Sequence, residues 1–449
     1  MSTFLRYATA LIISMGNLYL PLPSAQAPWQ TIEGVQDTAK RLKSALKSDL
    51  QSCPNIIKEL LDDPYQTDTL VTYKALPNNA KLYVLGDLHG DFGPINALMN
   101  YLEKKGYYNK TSFALAPAIY VALLGDYIDR GPDSLKNLWY LSKLKEANQQ
   151  QVLLIRGNHE TEIVMENEFK NTLHSLSNKI TTATVLFARF LKAFTLLPAI
   201  TLLTTQNNGG KKIALLHGGF DAQNESLIGP NPKNNLTPKL FSLDAKHVLW
   251  NDMHNDGISQ CVPNFGRGLG LIIDKIRMLE WMNNNNIAIV LRGHQQTDET
   301  YTKSTGERFR LFSQGPIPGI ATRWKRVLTL NVAPNTRKYG RYNGFFNDFG
   351  VILRINSGSD NSNEKNEFSE KLQELNGYLA TPIYFMPQEP NTIVDASSVK
   401  AHLAALAKAK AAKKKADAES ESIIMAGYMV QKGPHDDFYE SNETMVNLQ

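Results

Sequence analysis

Five short apolar runs, each followed by a glycine-containing polar cluster, constrain the fold of this chain more than any other feature. The runs are Lys81–Leu85, Ile119–Leu124, Val152–Ile155, Ile213–Leu216 and Ile287–Leu291. Their length and β-branched content are typical of buried strands. Because longer helix-like stretches separate them, the pattern predicts an α/β domain over about residues 80–355.

The polar clusters place ligand-type side chains directly after each predicted strand. They are Gly86-Asp87-Leu88-His89-Gly90-Asp91, Gly125-Asp126-Tyr127-Ile128-Asp129-Arg130-Gly131, Arg156-Gly157-Asn158-His159-Glu160, His217-Gly218-Gly219 and Arg292-Gly293-His294-Gln295. In α/β sheets, ligands bind just beyond the carboxyl ends of the strands. We therefore expect the five loops to present their side chains at one place.

Six of these side chains form a mixed set of carboxylates, imidazoles and one amide: Asp87, His89, Asp126, Asn158, His217 and His294. A set without thiolates favours Mn, Fe or Zn. Six ligands are too many for one tetrahedral ion and suit two divalent ions about 3.5–4 Å apart with a carboxylate between them. Such a pair converts a bridging water to hydroxide near neutral pH, ready for in-line attack on phosphorus.

Taken singly, these signals are weak. An isolated Asp-x-His or His-Gly-Gly occurs mostly in loops without a catalytic role. His159 with Asp129 is by itself more typical of a hydrogen-bonded pair with a structural role. Here five such clusters occur in this order, each after a predicted strand. A purely structural role for all of them does not explain the whole pattern.

Together the five clusters resemble the phosphoprotein phosphatase (PPP) family of calcineurin-like metallophosphoesterases. Weaker matches are Phe194–Pro198, Leu249-Trp250-Asn251-Asp252, Arg267-Gly268 and Ala333-Pro334-Asn335. The resemblance covers about residues 80–355. It implies an α/β fold with a calcineurin-like β-sandwich flanked by helices, to which this chain adds helical N- and C-terminal extensions.

The resemblance also implies a role for each metal-type residue. The first ion would be held by Asp87 and His89, and Asp126 would bridge the two ions. The second ion would be held by Asn158, His217 and His294. The implied cofactor is a pair of divalent ions, with Mn expected in vitro and Fe and Zn left open.

The catalytic roles come from the same resemblance. His159 corresponds to the general acid that protonates the leaving oxygen, and Asp129 to the carboxylate that holds its ring. Arg130 and Arg267, whose forked donors suit phosphate oxygens, correspond to the phosphate clamp. Asn158 is expected to contact phosphate as well.

The leading functional hypothesis is a protein serine/threonine phosphatase, because Gly-Asn-His-Glu with an Arg-Gly prefix is the protein-phosphatase form. Departures in Phe220-Asp221, in Gln206–Lys212 and at Thr336, where tyrosine is common, put substrate preference in doubt. The alternatives are a phosphotyrosine phosphatase, a small-molecule or dinucleotide phosphohydrolase of the same superfamily, and an inactive phosphoprotein-binding scaffold. The expected partner is a phosphoprotein or phosphopeptide.

Composition excludes several other classes. The net charge is +5, but six lysines lie between residues 400 and 415, so the body is nearly neutral and a nucleic-acid-binding surface is not expected. Two cysteines exclude a disulfide scaffold and a cysteine-based zinc module. The body has no apolar stretch long enough to span a membrane. The oligomeric state is left open.

The flanks predict four further segments. Residues 1–27 carry one charge (Arg6), an apolar run and a terminal Ala25-Gln26-Ala27, which is typical of a bacterial export signal. The protein is therefore expected in the periplasm or medium, and its Asn- and Lys-rich flanks suit delivery into a host cell. Residues 28–79 are predicted as a helical extension, 356–397 as a polar linker and irregular segment, and 398–449 as an Ala/Lys-rich helix and tail.

Overall fold

The computed structural model describes residues 26–63, 69–177, 179–205, 210–220, 238–241, 245–253, 261–295, 300–302, 308–310, 320–323, 326–330, 350–356, 373–375, 378–386, 389–394 and 408. Within these ranges the chain forms nine α-helices: α1 (Ile32–Asp49), α2 (Pro54–Asp62), α3 (Gly93–Lys104), α4 (Ser134–Ala147), α5 (Glu162–Met165), α6 (Glu168–Ser177), α7 (Ile180–Phe194), α8 (Ala245–Trp250) and α9 (Lys275–Asn284).

The same ranges contain twenty-one strands: β1 (Thr69–Leu76), β2 (Lys81–Leu85), β3 (Tyr108–Asn109), β4 (Ala114–Leu115), β5 (Ile119–Leu123), β6 (Val152–Leu154), β7 (Ile200–Thr205), β8 (Lys212–Leu216), β9 (Lys239–Phe241), β10 (Asp252–Met253), β11 (Val262–Pro263), β12 (Leu271–Ile273), β13 (Ile287–Arg292), β14 (Thr300–Thr302), β15 (Arg308–Arg310), β16 (Ile320–Arg323), β17 (Val327–Leu330), β18 (Gly350–Asn356), β19 (Gln373–Leu375), β20 (Tyr378–Met386) and β21 (Glu389–Val394).

All five predicted strands are present, as β2, β5, β6, β8 and β13. Every residue of β5, β8 and β13 is buried, as expected for strands covered on both faces. They belong to two large mixed sheets flanked by helices, and the predicted α/β fold class is confirmed.

The first sheet has the strand order β16-β17-β13-β8-β7-β1-β9. Strands β8, β13 and β17 run parallel, so their carboxyl ends lie at one edge. Apolar side chains from these strands pack with α9, where Trp281 stacks on Phe220 with ring centroids 4.8 Å apart. This core fixes the positions of the loops that follow β8 and β13.

The second sheet has the strand order β19-β20-β18-β2-β5-β6, with β21 paired to β20. Strands β2, β5 and β6 run parallel, with Leu85 opposite Leu123 and Leu123 opposite Leu154. The loops after these three strands therefore leave the same edge of the sheet. Three of the five predicted clusters come from this edge, and the other two come from the first sheet.

Two predicted flanking segments need correction. Residues 356–397 are not irregular throughout, because β19, β20 and β21 lie there and extend the second sheet beyond β18 by antiparallel pairing. Residues 28–79 are not helical throughout, because β1 pairs with β7 and β9 inside the first sheet. In both places, pairing with neighbouring strands determines an extended conformation that the local sequence does not predict.

The chain divides into two compact units, Met1–Asp395 and Ala396–Gln449. The predicted export signal lies outside the described residues except for Gln26 and Ala27, and the Ala/Lys-rich segment lies outside them except for Lys408. Asp221 and Ala333–Thr336 also lie outside them. In the part of the chain that the structure describes, no helix combines the length and apolar content needed to cross a bilayer.

Helix α1 is tied to α4 by a buried ion pair. Lys145 Nζ lies 2.9 Å from Asp49 Oδ1 and 2.7 Å from Asp49 Oδ2, and it donates to the carbonyl oxygens of Gln149 and Val152 at 2.6 and 2.7 Å. Lys145 is 1% exposed. A charge so deeply buried depends on its partner, because removing one member leaves the other uncompensated.

We predict that Asp49→Asn lowers the free energy of unfolding by about 2 kcal/mol. This is less than the usual loss from a broken buried pair, because Lys145 keeps two carbonyl partners and the Asp49 side chain is 30% exposed. Urea unfolding measures the change. The matched control is Glu146→Gln, which removes the Arg41–Glu146 pair between the same helices. Since that glutamate is half exposed, its loss should cost under about 1 kcal/mol. Equal costs for the two variants would contradict the prediction.

Candidate metal centre

The carboxyl edges of the two sheets are joined by hydrogen bonds between the predicted clusters. His217, after β8, donates from Nδ1 to the carbonyl oxygen of Leu124 at 2.7 Å. The backbone N–H of His294, after β13, lies 3.0 Å from both carboxylate oxygens of Asp87. Loops from different sheets are thereby brought to one buried place, as the sequence predicted.

Four potential ligand atoms converge on the first-sheet side of this place. His217 Nε2 lies 2.9 Å from Asn158 Oδ1 and 3.2 Å from Asp126 Oδ1. His294 Nδ1 lies 3.0 Å from Asn158 Oδ1 and 3.2 Å from His217 Nε2. Neighbouring ligands of a metal ion are about 3 Å apart when each lies about 2.1 Å from the ion. The spacing therefore suits shared coordination of one cation.

The hydrogen-bonding state of these atoms tests whether a cation fits. Because His217 Nδ1 donates to Leu124, its Nε2 carries a lone pair whenever the ring is neutral. That lone pair faces Asn158 Oδ1 and Asp126 Oδ1, which are also acceptors. Three buried acceptors about 3 Å apart repel one another unless a positive charge lies among them, either a proton on Nε2 or a metal ion. These three atoms, each of which has a lone pair to offer a metal ion, therefore fit a divalent cation.

A second group of ligand atoms lies on the other side of Asp126. His89 Nε2 is 3.5 Å from Asp126 Oδ2 and 3.9 Å from Asp87 Oδ2. His89, Asp126 and His159 form one cluster with metal-compatible spacing, and Asp126, His217 and His294 form another. Asp126 belongs to both clusters, which is the arrangement a bridging carboxylate requires.

Two buried carboxylates, Asp87 and Asp126, determine the electrostatics of the site. Burial raises the pKa of Asp87, whereas for Asp126 the opposing effect of burial is outweighed by imidazoles, chiefly His217, that hold its pKa well below the usual range. Burial disfavours a charged His217, but Asp126 and Asp87 raise its pKa to about 9. Burial is the largest cause of the lowered pKa values of His89 and His294. The neutral forms of His89 and His294 are thereby favoured, and a neutral imidazole is the form that binds a metal ion.

The predicted catalytic pair lies at the edge of this cluster. His159 Nδ1 is 2.8 Å from Asp129 Oδ2, and the Asp129 backbone N–H donates to Ser134 Oγ at 3.0 Å. The Asp129 contact holds the His159 ring and leaves Nε2 facing Arg130. The Arg130 guanidinium lies between two imidazoles, with Nη1 2.8 Å from His89 Nε2 and Nη2 3.3 Å from His159 Nε2.

Arg267, the other predicted phosphate ligand, lies beside His294. Its Nε donates to Asp252 Oδ2 at 2.6 Å, and its Nη2 lies 3.4 Å from the His294 carbonyl oxygen. Asp252 Oδ1 is in turn 3.5 Å from His294 Nε2. The structure thus places Arg267 at the rim of the cluster, held by the aspartate of the Leu-Trp-Asn-Asp segment.

Comparison with known proteins agrees with this geometry. Residues 80–298 match the family model for calcineurin-like phosphoesterases. This part of the chain is similar to calcineurin-like phosphoesterases. This match and the relatives described next agree with the resemblance to metallophosphoesterases of the phosphoprotein phosphatase type that the motifs indicate.

Two relatives carry serine/threonine-protein phosphatase names. One is BSL2 of Arabidopsis thaliana, 28% identical over 325 residues, or 70% of this chain and 29% of that protein. The other is C06A1.3 of Caenorhabditis elegans, 26% identical over 232 residues, or 51% of this chain and 57% of that protein. The chain spans less than two thirds of either relative. A solved serine/threonine phosphatase from Saccharomyces cerevisiae is 18% identical, with a TM-score of 0.47, and the match covers 78% of this chain and 89% of that one.

Backbone strain in the phosphoesterase domain is concentrated at the site. Five predicted site residues have positive φ: 46° at His89, 53° at Asp126, 68° at Asp129, 66° at Arg130 and 70° at His294. Only three other non-glycine residues described by the structure have positive φ. Each such conformation costs about 1–3 kcal/mol and persists only where surrounding contacts enforce it.

Two glycines allow the carboxylates to approach the neighbouring loops. A Cβ on Gly157 would lie 2.2 Å from Asp126 Oδ1, and one on Gly293 would lie 2.0 Å from Asp87 Oδ1. Any side chain at either position would displace a predicted metal ligand. These glycines are therefore part of the site, although they offer no ligand atom.

Glu160 is a functional residue that the sequence reasoning missed. It is fully buried, and its Oε2 accepts from the backbone N–H groups of Asp126 at 2.9 Å and Gly157 at 3.0 Å. Its Oε1 accepts from the Tyr127 N–H at 2.8 Å. Burial, and then the charge of Asp126, raise the pKa of Glu160 to about 7. One carboxylate thus holds the loops after β5 and β6 together and fixes the backbone of Asp126.

Arg292 holds loops of the first sheet together in the same way, through hydrogen bonds to backbone groups. Its buried guanidinium donates to the carbonyl oxygens of Gly218 at 2.6 Å and Asn251 at 3.2 Å, and to Gln295 Oε1 at 2.6 Å. Gln295 Oε1 also accepts from the Met253 N–H at 2.8 Å. Glu160 and Arg292 were both visible as charged residues within the motifs. Their roles depend on which backbone groups reach them, and the motif does not give that.

We predict that Glu160→Gln weakens Mn²⁺ binding by about 10- to 100-fold, the usual effect of removing a residue that orients metal ligands. A glutamine would place an NH₂ group against backbone donors, so the Asp126 loop would lose at least one hydrogen bond. Calorimetric titration of chelator-treated protein with Mn²⁺ measures the affinity without any assay of activity.

The control for this prediction is Glu59→Gln, an exposed change on α2 that removes the same charge. Far-UV circular dichroism should show that both variants remain folded. Unaltered Mn²⁺ affinity in a folded Glu160→Gln protein would mean that Glu160 does not orient the phosphoesterase metal ligands.

Proposed function

We propose that the chain is a metal-dependent phosphomonoester hydrolase that removes phosphate from phosphoserine and phosphothreonine in proteins. The observation that carries the proposal is the convergence of six ligand-type side chains, from the ends of five strands, beside the His159–Asp129 pair and Arg130. The match of residues 80–298 to the calcineurin-like phosphoesterases supports it.

The proposed cofactor is two divalent ions, with Mn, Fe or Zn favoured by the mixed carboxylate, imidazole and amide donors. Asp87, His89 and Asp126 would hold one ion. Asp126, Asn158, His217 and His294 would hold the other. When bound, such a pair supplies Lewis acidity at the phosphoryl oxygens and a water of lowered pKa.

The remaining site residues bind the phosphate and move a proton. Arg130 offers a forked donor beside the metal ligands, and Asn158 and Arg267 supply further donors around the phosphoryl group. His159 is oriented by the Asp129 contact at Nδ1, so its Nε2 can give a proton to the departing oxygen as the P–O bond breaks. Asp129 stabilises the positive charge that the ring carries before it gives up this proton.

The choice of serine and threonine over other phosphate esters rests on two observations. The chain has the Arg-Gly-Asn-His-Glu sequence, and both named relatives are called serine/threonine-protein phosphatases. Other enzymes of the same superfamily act on phosphotyrosine or on dinucleotides. Phosphotyrosine peptides and dinucleotides are therefore the comparison substrates that test this choice.

The direct test uses purified chain freed of metal with a chelator and then supplied with Mn, Mg, Zn or Fe. We expect turnover of phosphoserine and phosphothreonine peptides only after a metal is restored, and at most weak turnover with Asp87→Asn or His217→Ala. Full activity of the metal-free protein would contradict the proposal that hydrolysis depends on a metal ion. Turnover of phosphotyrosine peptides or dinucleotides alone would contradict the substrate assignment.

A second prediction concerns the proton from His159. A serine alkoxide is strongly basic and leaves slowly without a proton, whereas nitrophenolate is stable unprotonated. We therefore expect His159→Asn to lower kcat about 10²- to 10⁴-fold on a phosphoserine peptide and clearly less on p-nitrophenyl phosphate. Steady-state kinetics at saturating metal separates this effect from weakened metal binding.

Arg130→Ala is the matched comparison for this experiment. Both substrates carry the same phosphoryl group, so loss of the clamp should slow them by similar factors. If His159→Asn also slowed both substrates equally, His159 would be a structural support for the site and not the general acid.

A further inference from the structure

A groove leads away from the predicted catalytic pair along the segment that joins α5 and α6. It has a volume of about 650 Å³ and begins at Asp129 and His159. Ile163 and Glu166 lie along it, and Trp250 contributes to its lining. Its inner end is therefore the predicted phosphate site, and its outer part would be covered by whatever is attached to the phosphate.

The lining of the groove includes two glutamates. Glu166 and Glu168 both line it. Glu168 is fixed in place, because its Oε2 accepts from the Arg130 backbone N–H at 2.6 Å. Glu166 is paired only loosely with Lys170, at 3.6 Å and with its side chain 53% exposed. The ammonium group of Lys170 also lies 5.7 Å from the centre of the Phe187 ring.

A third carboxylate lies at the inner end of the groove. Asp129 lines the inner end and is 3% exposed. Its Oδ2 contacts His159, but its Oδ1 is buried and has no hydrogen-bond partner among the described residues. This carboxylate therefore adds a buried acceptor at the inner end of the groove, beside the two glutamates of its lining.

The groove also offers apolar surface beside its carboxylates. Ile163 is 49% exposed, and the half-buried Trp250 lies at the other wall, with its ring 6.0 Å from that of His294. A long side chain with an aliphatic stem and a charged head matches such a surface, because the stem packs on apolar groups while the head reaches the carboxylates. Lysine and arginine are the residues with this shape.

We propose that this groove binds a lysine or arginine side chain of the substrate polypeptide, close in sequence to the phosphorylated residue. The inference rests on the proposed function and adds a substrate preference to it. Acidic flanking residues would be repelled by Glu166 and Glu168. The phosphate itself is directed to the inner end, where Arg130 lies.

The test compares phosphoserine peptides that differ in one side chain. Arginine, or its neutral isostere citrulline, is placed in turn at each of the three positions on either side of the phosphoserine. At one or more positions we expect kcat/KM to be about fivefold higher with arginine, a factor within reach of two exposed ion pairs. The ratio should fall towards one when the salt concentration is raised to about 0.5 M.

Two variants then locate the preference in the groove. The arginine-to-citrulline ratio is taken within each enzyme, so a general loss of activity cancels. Glu166→Gln should reduce the ratio at least twofold, and Glu166→Lys should reduce it further. The matched control is Glu280→Gln on α9, because Glu280 is 50% exposed and pairs with Arg277 at the same distance of 3.6 Å. This control should leave the ratio unaltered.

The outcomes separate the two proposals. Hydrolysis of arginine and citrulline peptides at equal rates would leave the proposed function standing and overturn the groove assignment. An arginine preference that Glu166→Lys does not alter would also overturn it. Failure to hydrolyse any phosphopeptide with any metal would overturn the proposed function, and the groove assignment would fall with it.

Discussion

The hydrogen bonds that join the carboxyl edges of the two sheets are the contacts on which the site depends. Each sheet alone supplies only part of the ligand set, with Asp87 and Asp126 from the second sheet and His217 and His294 from the first. The His217–Leu124 bond and the bonds from the His294 N–H to Asp87 hold these parts at ligand distance. Each bond joins a side chain of one loop to a backbone group of a loop from the other sheet, so it fixes that side chain relative to the course of the chain. The cores of the two sheets therefore stabilise the site as well as the fold.

This arrangement concentrates strain and buried charge, and both are offset by backbone hydrogen bonds. Asp126 has a positive φ, and its carboxylate is buried beside that of Asp87. Glu160 holds its loop by accepting from three backbone N–H groups, and Arg292 holds the opposite loops by donating to two carbonyl oxygens. A buried charge satisfied by peptide groups binds several segments at once, which an ordinary ion pair does not do. These backbone hydrogen bonds hold the ligand geometry, and a site held in this way has a lower free-energy cost of organisation when it binds a cation.

The sequence predicted the five central strands and their convergence because both follow from local patterns. Buried parallel strands require apolar runs such as Ile119–Leu124, and residues just after them meet at one edge. The strands β1 and β20 were not predicted, because β1 takes its place between β7 and β9 and β20 pairs with β18 far away in sequence. The role of Glu160 was missed for a related reason. The sequence Asn-His-Glu is the same whether the glutamate is exposed to solvent or accepts hydrogen bonds from three backbone N–H groups. Only the tertiary structure distinguishes these cases.

The position of Arg130 links the three tasks of the proposed site. In this structure its guanidinium approaches His89 Nε2 and His159 Nε2 at once. The single lone pair on His89 Nε2 cannot accept from Arg130 and also bind a metal ion. For the same reason, His159 Nε2 cannot carry the proton needed by a leaving oxygen while it accepts from Arg130. In the proposed function Arg130 would therefore have to leave both imidazoles before His89 could hold an ion and His159 could give a proton, and a bound phosphate would offer the guanidinium other acceptors.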